Sequence, residues 1–317
     1  MTETPSVVFC GKPEQRAAYE RHLRAAMTAQ KVALALHMDP AEADPATVDY
    51  LIYAANGPVT EFAPYTRLKG ILNLWAGVEA VLALDPPRDV PLARMVEPGL
   101  TLGMVDYVVG HVTRHHLDID RYIGGPVMTE WEATYPPLAR DRVVGILGLG
   151  ELGTACGTAL AQLGFKVMGW SRSPKSALGV DCQHGPRGLE AVLRAAEILV
   201  LLLPHTPETE RVLDAAALAQ LPEGACVINA GRGPLIDHGA LLAALDSGRL
   251  RHATMDVFDI EPLPAEDRYW THPKVTVTPH IASVTRPETA AEALVANIAR
   301  HLRGEPLIGV VDRDRGY

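Results

Sequence analysis

The sequence has 317 residues, of which 48% are hydrophobic and 21% charged, as in folded globular proteins with room for two domains. A formal net charge of −9 without a lysine- or arginine-rich run argues against a nucleic-acid partner. No apolar run approaches the roughly 20 residues of a membrane helix, and Met1 to Ser6 lack the features of a signal peptide. The four cysteines are scattered and form no C-x-x-C pair, so we expect a reduced, cytoplasmic protein.

Apolar runs alternate with helix-like segments along nearly the whole chain, a pattern typical of α/β proteins with parallel sheets. In the first third, strands are predicted at residues 7–10, 32–36, 50–54, 70–74 and 92–96. A long helix is predicted over residues 103–116, followed by an irregular segment at 124–137. The first third therefore predicts one compact α/β unit.

A second α/β unit is predicted from Arg142 onward. Thr206-Pro207 predicts the cap and first turn of one helix, and Asp237 predicts the cap of another that stops before Gly248. The amphipathic segment 287–303 is expected to return to the first unit, so the predicted domains are 1–99 plus 286–317, and 100–285. The strands of the second unit are predicted at 143–147, 166–169, 198–203, 226–229, 253–256 and 275–278.

The segment after the first of these strands is rich in glycine. It follows the G-x-G-x-x-G pattern between a predicted strand and a predicted helix, and it reads Gly148, Leu149, Gly150, Glu151, Leu152 and Gly153. The first glycine permits a tight turn, the second lets the backbone approach a pyrophosphate, and the third lets the helix lie close to the strand. The motif predicts a dinucleotide-binding (Rossmann) domain.

The end of the next strand indicates which dinucleotide is bound. Proteins that prefer NAD usually carry an acidic residue there, about 20 residues after the motif, which bonds the ribose hydroxyls. This chain instead offers hydroxyls and positive charge, a set suited to a 2′-phosphate, from Ser171, Arg172, Ser173 and Lys175. We expect NADPH as cofactor, with NADH possible.

Three downstream segments place a polar residue just after a predicted strand, where ligands bind in open α/β sheets. Reduction of a 2-oxo acid needs a group that holds the carboxylate, a proton donor for the carbonyl oxygen, and a carboxylate that favours the protonated donor. Arg232, His280 and Glu261 can fill these roles in turn. Each one alone could equally be a surface charge, a strand-end histidine or a turn residue.

Several motifs in order along the chain resemble the D-isomer-specific 2-hydroxyacid dehydrogenase family. Besides the glycine motif they are L-P-H-T-P-E-T at 203–209, N-A-G-R-G at 229–233, D-V-F-D-I-E-P-L-P at 256–264 and T-P-H-I-A at 278–282. The resemblance implies two doubly wound parallel-sheet domains, with a Rossmann cofactor domain inserted in a flavodoxin-like substrate domain. It also implies a homodimer and a hinge that closes on the substrate.

The resemblance also assigns roles to particular residues. It implies that Arg232 binds and polarises the substrate, that His280 is the acid/base paired with Glu261, and that Asp256 contacts the nicotinamide carboxamide. Backbone amides of the loop formed by Trp75, Ala76 and Gly77 would meet the substrate carboxylate. Further cofactor contacts are expected from Leu203, Pro204, Thr209, Ala230, Gly231 and His280, with Met104 and Tyr107 near the nicotinamide.

The segments at 170–175 and 311–317 resemble the subgroup that reduces small 2-oxo acids, glyoxylate or hydroxypyruvate. Trp75 stands where a small residue is common, which leaves a bulkier acid such as phenylpyruvate or 2-oxopantoate open. A non-catalytic protein that senses dinucleotides is a third hypothesis, because fold alone does not fix function. His111 and His115 have metal-binding spacing but no third ligand in view, so we expect no metal.

Overall fold

The computed structural model describes residues 4–123 and 135–317. The chain divides into two compact units, Met1–Leu100 with Thr285–Tyr317, and Thr101–Val284. Residues 1–3 and residues 124–134 of the predicted irregular segment lie outside the described part. Within that part, no helix combines the length and apolar character needed to span a membrane.

The first unit contains a five-stranded parallel sheet. Its strands are β1 (Ser6–Cys10), β2 (Ala35–His37), β3 (Tyr50–Tyr53), β4 (Gly70–Asn73) and β5 (Leu92–Ala93). Their order, β2-β1-β3-β4-β5, is the flavodoxin-like order. Side chains alternate along β1, so that Val7 and Phe9 face one buried cluster while Val8 and Cys10 face another. Burial of both faces explains why these strands are apolar throughout.

Helices α1 (Arg16–Gln30) and α9 (Pro287–Leu302) pack against each other on one face of this sheet, while the short α2 (Glu79–Leu82) contributes to the other cluster. Leu294, Val295 and Ile298 of α9 lie in the same buried cluster as Leu23 of α1. The C-terminal segment therefore packs within the first unit.

The second unit contains a seven-stranded parallel sheet. Its strands are β6 (Val143–Leu147), β7 (Lys166–Ser171), β8 (Val180–His184), β9 (Ile198–Leu201), β10 (Ala225–Asn229), β11 (Leu250–Met255) and β12 (Val275–Val277). Their order in the sheet is β12-β11-β10-β9-β6-β7-β8. Strands β7 and β8 are added on one side of β6 and strands β9 to β12 on its other side. This is the dinucleotide-binding order extended by one strand. The predicted fold class is confirmed.

Helices cover both faces of the second sheet, which separates two buried clusters. They are α3 (Pro98–His116), α4 (Asp120–Ile123), α5 (Glu151–Gln162), α6 (Gly185–Ala195), α7 (Ala215–Gln220) and α8 (His238–Asp246). As predicted, Asp237 caps α8 by accepting a hydrogen bond from the Ala240 amide, and Gly248 follows the helix with a φ of +79°.

Three details of local structure differ from the sequence predictions. No helix begins at Thr206. The Thr209 hydroxyl accepts from the Thr206 amide and donates to the Pro204 carbonyl, and these bonds close a turn instead. The helix α7 starts later, after its cap Asp214. The strand β8 was missed because its residues are polar and partly exposed at the sheet edge. The long helix α3 also begins earlier than predicted, since the Glu97 carboxylate accepts from the Gly99 and Leu100 amides.

Candidate active site

The carboxyl ends of the central strands in the second sheet lie level with one another. The residues in register across the sheet are Trp170, Leu147, Leu201, Asn229, Met255 and Val277. Every predicted functional segment of this unit begins within a few residues of that line. The segments therefore leave the sheet along one edge, and at the strand reversal this edge is where dinucleotides bind.

The glycine motif forms the turn between β6 and α5. Gly148 has a φ of +110°, which favours glycine, and an added Cβ would lie 2.7 Å from the Leu202 carbonyl oxygen. Gly153 lies in the first turn of α5, where a Cβ would come 1.8 Å from the Gly148 oxygen. Leu149 is buried, Leu152 is half-buried, and Glu151 is exposed at the start of the helix. These contacts hold the turn tightly against the helix.

Gly150 differs from its two neighbouring glycines. It is the N-cap of α5, and an added Cβ would meet no atom of the described residues within 4 Å. The space beside it, at a helix N-terminus with outward-facing amides, suits a pyrophosphate. The residues present therefore fit a dinucleotide at this turn.

The end of β7 places hydroxyl groups and positive charge on the surface. Arg172, Ser173 and Lys175 are exposed, and the Ser171 hydroxyl donates to the Ser173 carbonyl at 2.8 Å. The pKa of Glu208 is lowered by hydrogen bonds from its own amide and from the Thr206 hydroxyl, and also by the Arg172 charge. The turn after β9, which carries Leu203, Pro204 and Thr209, therefore lies near this basic loop.

A buried asparagine, which the sequence did not single out, shapes the turn that carries Arg232. Asn229 is 0% exposed; its side-chain oxygen accepts from the Gly231 amide at 3.1 Å, and its side-chain nitrogen donates to the Arg232 carbonyl at 2.9 Å. Ala230 stays paired with β9 through the Leu201 oxygen. This clamp fixes the backbone of Arg232 just beyond the sheet edge.

Glu261 and His280 are brought together although 19 residues separate them in sequence. The Glu261 Oε2 lies 2.7 Å from the His280 Nδ1, and the Glu261 Oε1 accepts from the Phe258 amide at 3.0 Å. The predicted pairing of the carboxylate with the imidazole is thus present. About half of the His280 side chain is exposed, which leaves the ring accessible to a substrate.

Asp256 lies beneath the turn that carries His280 and is 1% exposed. Its carboxylate accepts from the Thr278 hydroxyl at 2.6 Å and from the Ile281 and Ala282 amides at 2.8 and 2.9 Å. All three partners belong to the T-P-H-I-A segment. In this structure the carboxylate holds that turn, and the contact with the nicotinamide carboxamide implied by the resemblance stays a prediction.

The predicted substrate loop lies in the first unit, directly after β4. Asn73, 1% exposed, donates to the Trp75 and Gly77 carbonyls at 2.9 and 2.8 Å, and the Met95 amide also donates to the Trp75 oxygen. Trp75, Ala76 and Gly77 are half-buried. The carbonyls at both ends of this loop are therefore held by partners within the first unit.

The histidines of α3 are part of the packed interior of the second unit. His115 is 1% exposed and lies 2.9 Å from the Thr254 hydroxyl, with the His252 ring 5.2 Å away. Burial lowers the pKa of His115 to about 2 and that of His252 to about 4. Among residues 4–123 and 135–317, no group of three potential ligands is arranged to hold a metal ion.

Comparisons with known proteins extend over both units. Residues 109–282 match the family model described as D-isomer specific 2-hydroxyacid dehydrogenase, NAD binding domain. The glyoxylate/hydroxypyruvate reductase A of Yersinia enterocolitica is 40% identical over 266 residues, which cover 82% of this chain and 85% of that protein.

Two solved structures are similar over almost the full length. A D-isomer specific 2-hydroxyacid dehydrogenase from Xanthobacter autotrophicus Py2, in complex with NADPH and MES, has a TM-score of 0.92 and 40% identity, covering 99% of this chain and 100% of that one. An NADPH-dependent glyoxylate/hydroxypyruvate reductase from Sinorhizobium meliloti, in complex with NADP and sulfate, has a TM-score of 0.87 and 35% identity over the same shares.

The strand order of the second unit, its glycine turn and the Glu261–His280 pair define a dinucleotide-dependent oxidoreductase. The family match and the sequence identity to curated relatives identify the family of oxidoreductases. This chain belongs to the D-isomer-specific 2-hydroxyacid dehydrogenase family.

Proposed function

We propose that the protein reduces a small 2-oxo acid, glyoxylate or hydroxypyruvate, to the 2-hydroxy acid with NADPH. The observation that carries this proposal is the 2.7 Å contact between Glu261 and His280 at the edge of the dinucleotide-binding sheet. The relatives named glyoxylate/hydroxypyruvate reductase, one of them with bound NADP, support the choice of substrate and cofactor.

His280 acts as the proton donor. Its Nδ1 is engaged by Glu261, so Nε2 is the atom that transfers a proton to the carbonyl oxygen, and the carboxylate favours the charged ring before transfer. Bound NADPH supplies the hydride for the carbonyl carbon. Arg232 holds the substrate carboxylate with its planar guanidinium and polarises the carbonyl.

The cofactor is held by four segments of the second unit. The α5 N-terminus at Gly148–Gly153 binds the pyrophosphate, and Ser171, Arg172, Ser173 and Lys175 bind the 2′-phosphate. The turn residues Leu203, Pro204 and Thr209, together with Ala230 and Gly231, line the remainder of the cofactor site. In the first unit, the loop Trp75, Ala76 and Gly77 presents amides to the substrate carboxylate.

The protein is further proposed to act as a cytoplasmic homodimer, with domains 1–99 plus 286–317 for substrate and 100–285 for cofactor. The compartment is proposed because Cys10, Cys156, Cys182 and Cys226 are widely scattered in the sequence and form no C-x-x-C pair. Size-exclusion chromatography with light scattering tests the oligomeric state, and a monomer at micromolar concentration would contradict it.

The substrate and cofactor are tested by following nicotinamide absorbance with NADPH or NADH and a panel of acids. We expect glyoxylate or hydroxypyruvate with NADPH to give the highest kcat/KM. If phenylpyruvate or 2-oxopantoate is preferred, the proposed substrate is wrong although the mechanism stands. If no acid turns over while NADPH still binds, the sensing hypothesis is favoured.

The cofactor preference is tested by Arg172→Ser. We expect the KM for NADPH to rise about tenfold with little change for NADH, because one charged contact to a phosphate contributes on the order of 1.5–3 kcal/mol. Arg187→Ser, an exposed arginine on α6, is the matched control. Equal effects of the two variants, or a wild-type preference for NADH, would contradict the assignment of the basic loop.

A further inference from the structure

A chain of hydrogen bonds joins the helix α3 to the turn that carries His280. The Tyr107 hydroxyl lies 2.7 Å from the Thr278 hydroxyl, and the Thr278 hydroxyl donates to the Asp256 Oδ1 at 2.6 Å. Tyr107 and Thr278 are 171 residues apart in sequence, so only the fold brings them together.

The donor and acceptor of each of these hydrogen bonds follow from counting protons. A threonine hydroxyl has one proton, and an ionised carboxylate can only accept. Because Thr278 gives its proton to Asp256, Tyr107 must donate to Thr278. Burial raises the pKa of Tyr107, so the phenol keeps the proton that this arrangement needs. Asp256 is thus the final acceptor of a hydrogen-bond relay that runs from Tyr107 on α3 through Thr278.

Asp256 fixes the His280 turn from two sides. Its carboxylate accepts from the Ile281 and Ala282 amides, and its backbone oxygen accepts from the His280 amide at 2.9 Å. A buried carboxylate that loses a hydrogen-bond donor is left with an unsatisfied acceptor, which is unfavourable. The orientation of this carboxylate therefore depends on the Thr278 hydroxyl.

His280 itself has a backbone conformation that needs such support. Its φ is +54°, in the left-handed region that is unfavourable for residues other than glycine. The backbone amide of His280 also donates to the backbone carbonyl oxygen of Thr278 at 3.0 Å. The backbone hydrogen bonds of His280 to Asp256 and Thr278 stabilise this conformation. The backbone conformation in turn determines the direction of the imidazole.

We propose that Tyr107 and Thr278 are positioning residues for His280, which act through Asp256 and touch neither substrate nor cofactor. This inference rests on the proposed role of His280 as proton donor. It differs from the resemblance, which places Tyr107 near the nicotinamide. A relaxed turn would move the imidazole away from the angle at which Glu261 and the substrate both meet it, and displacement of about 1 Å can cost up to 10²-fold in rate.

The test compares Thr278→Val with Thr278→Ser, because valine keeps the shape without the hydroxyl and serine keeps the hydroxyl. We expect Thr278→Val to lower kcat about tenfold with unchanged affinity for NADPH, and to raise the isotope effect with 4-deuterated NADPH, since chemistry becomes slower. Thr278→Ser is expected to stay within about twofold of wild type. A serine variant as slow as the valine variant would overturn the proposal.

Tyr107→Phe tests the other end of the relay. We expect a smaller fall in kcat, and a Tyr107→Phe/Thr278→Val double variant no slower than Thr278→Val alone, because the two residues act in one chain. Multiplicative losses would overturn the relay. So would weaker NADPH binding in Tyr107→Phe with kcat unchanged, which would instead show direct contact with the cofactor.

A readout without turnover separates this inference from the proposed function. Hydrogen exchange of the segment 278–284 is expected to speed up in Thr278→Val and to remain at the wild-type rate in Thr278→Ser. If the wild type reduces no 2-oxo acid but this difference is found, the proposed function fails while the anchoring of the turn stands. Unchanged exchange in both variants would overturn the anchoring.

Discussion

Glu261 contacts His280 at Nδ1, the ring nitrogen other than the one proposed to transfer the proton. The contact joins the Glu261 Oε2 to the His280 Nδ1 at 2.7 Å, while the other carboxylate oxygen is fixed by the Phe258 amide. The carboxylate is thus oriented by its own loop before it orients the imidazole. This arrangement leaves Nε2 for the proposed proton transfer and places a carboxylate beside the ring, where a neighbouring negative charge favours the protonated imidazole.

Glu261→Gln is expected to lower kcat about 100-fold, within the range typical of general acid–base groups, with unchanged affinity for NADPH. The amide keeps the size of the side chain and can still accept from Phe258, but it does not balance the charged imidazole. Steady-state rates and NADPH fluorescence titration measure the two quantities. Glu266→Gln, at an exposed glutamate in the same segment, is the control; a rate near wild type for Glu261→Gln would refute the role of the carboxylate.

Gly233→Ala is expected to inactivate the enzyme without a substitution in any reacting group. An added Cβ would lie 2.1 Å from the Phe258 carbonyl carbon and 2.4 Å from the Asp259 amide nitrogen, so the backbone that leads to Glu261 must move. We expect kcat to fall at least tenfold, because the Glu261–His280 contact is lost.

The control for Gly233→Ala is Gly239→Ala on α8, where the added Cβ meets only the Asp237 carboxylate at 3.5 Å. This variant is expected to keep full activity. Activity of Gly233→Ala comparable to that of Gly239→Ala would show that the loop after β11 tolerates displacement.

Gly150→Ala and Gly153→Ala are expected to fail in different ways. At Gly150 an alanine meets no atom within 4 Å in the part of the chain that the structure describes, and it adopts the observed φ of −77° without strain. Stability is therefore kept while NADPH affinity falls about tenfold or more. At Gly153 the Cβ meets the Gly148 oxygen at 1.8 Å, so the free energy of unfolding falls by about 2–3 kcal/mol. Thermal melts and cofactor titrations that show the same defect in both variants would contradict this division.

Stability is expected to fall on acidification because of the buried histidines. Burial, with further contributions from His252 and Arg114, lowers the pKa of His115 to about 2, whereas the unfolded chain takes up a proton near pH 6.5. As the pH falls below that value only the unfolded state gains the proton, so His115 costs about 1.4 kcal/mol at pH 5.5. This cost is absent above about pH 7.5.

His115→Gln checks this prediction, since glutamine can still bond Thr254 but does not titrate. The loss of stability between pH 7.5 and 5.5, measured by urea unfolding, is expected to be about 1.4 kcal/mol smaller than in wild type. Between pH 7.5 and 8.5 the two proteins should behave alike. An unchanged acid loss would mean that His115 is protonated in the folded state.

The sequence singled out candidate site residues most readily where they follow a predicted strand. Arg232 and His280 come three residues after β10 and β12, and apolar strands are readily seen in sequence. The strand β8 escaped because a polar edge strand lacks that pattern, and the helix expected at Thr206 was replaced by a local threonine turn. The local sequence does not show whether a threonine side chain will cap a helix or close a turn.

The supporting residues could not be predicted from the sequence. Asn73, Asn229 and Thr278 act by hydrogen bonds whose value depends on burial and on backbone shape. Tyr107 meets its partner from a distant helix. Their importance follows from three-dimensional proximity, which no motif spacing conveys.

The most direct test of the central claim is the oxidation of NADPH by glyoxylate and hydroxypyruvate with wild type and His280→Ala side by side, together with the NADPH dissociation constant of each. We predict turnover by wild type and a loss of at least about 10³-fold in kcat/KM for the variant, which still binds NADPH. Comparable rates for the two proteins, or no turnover by wild type with NADPH bound, would contradict the account.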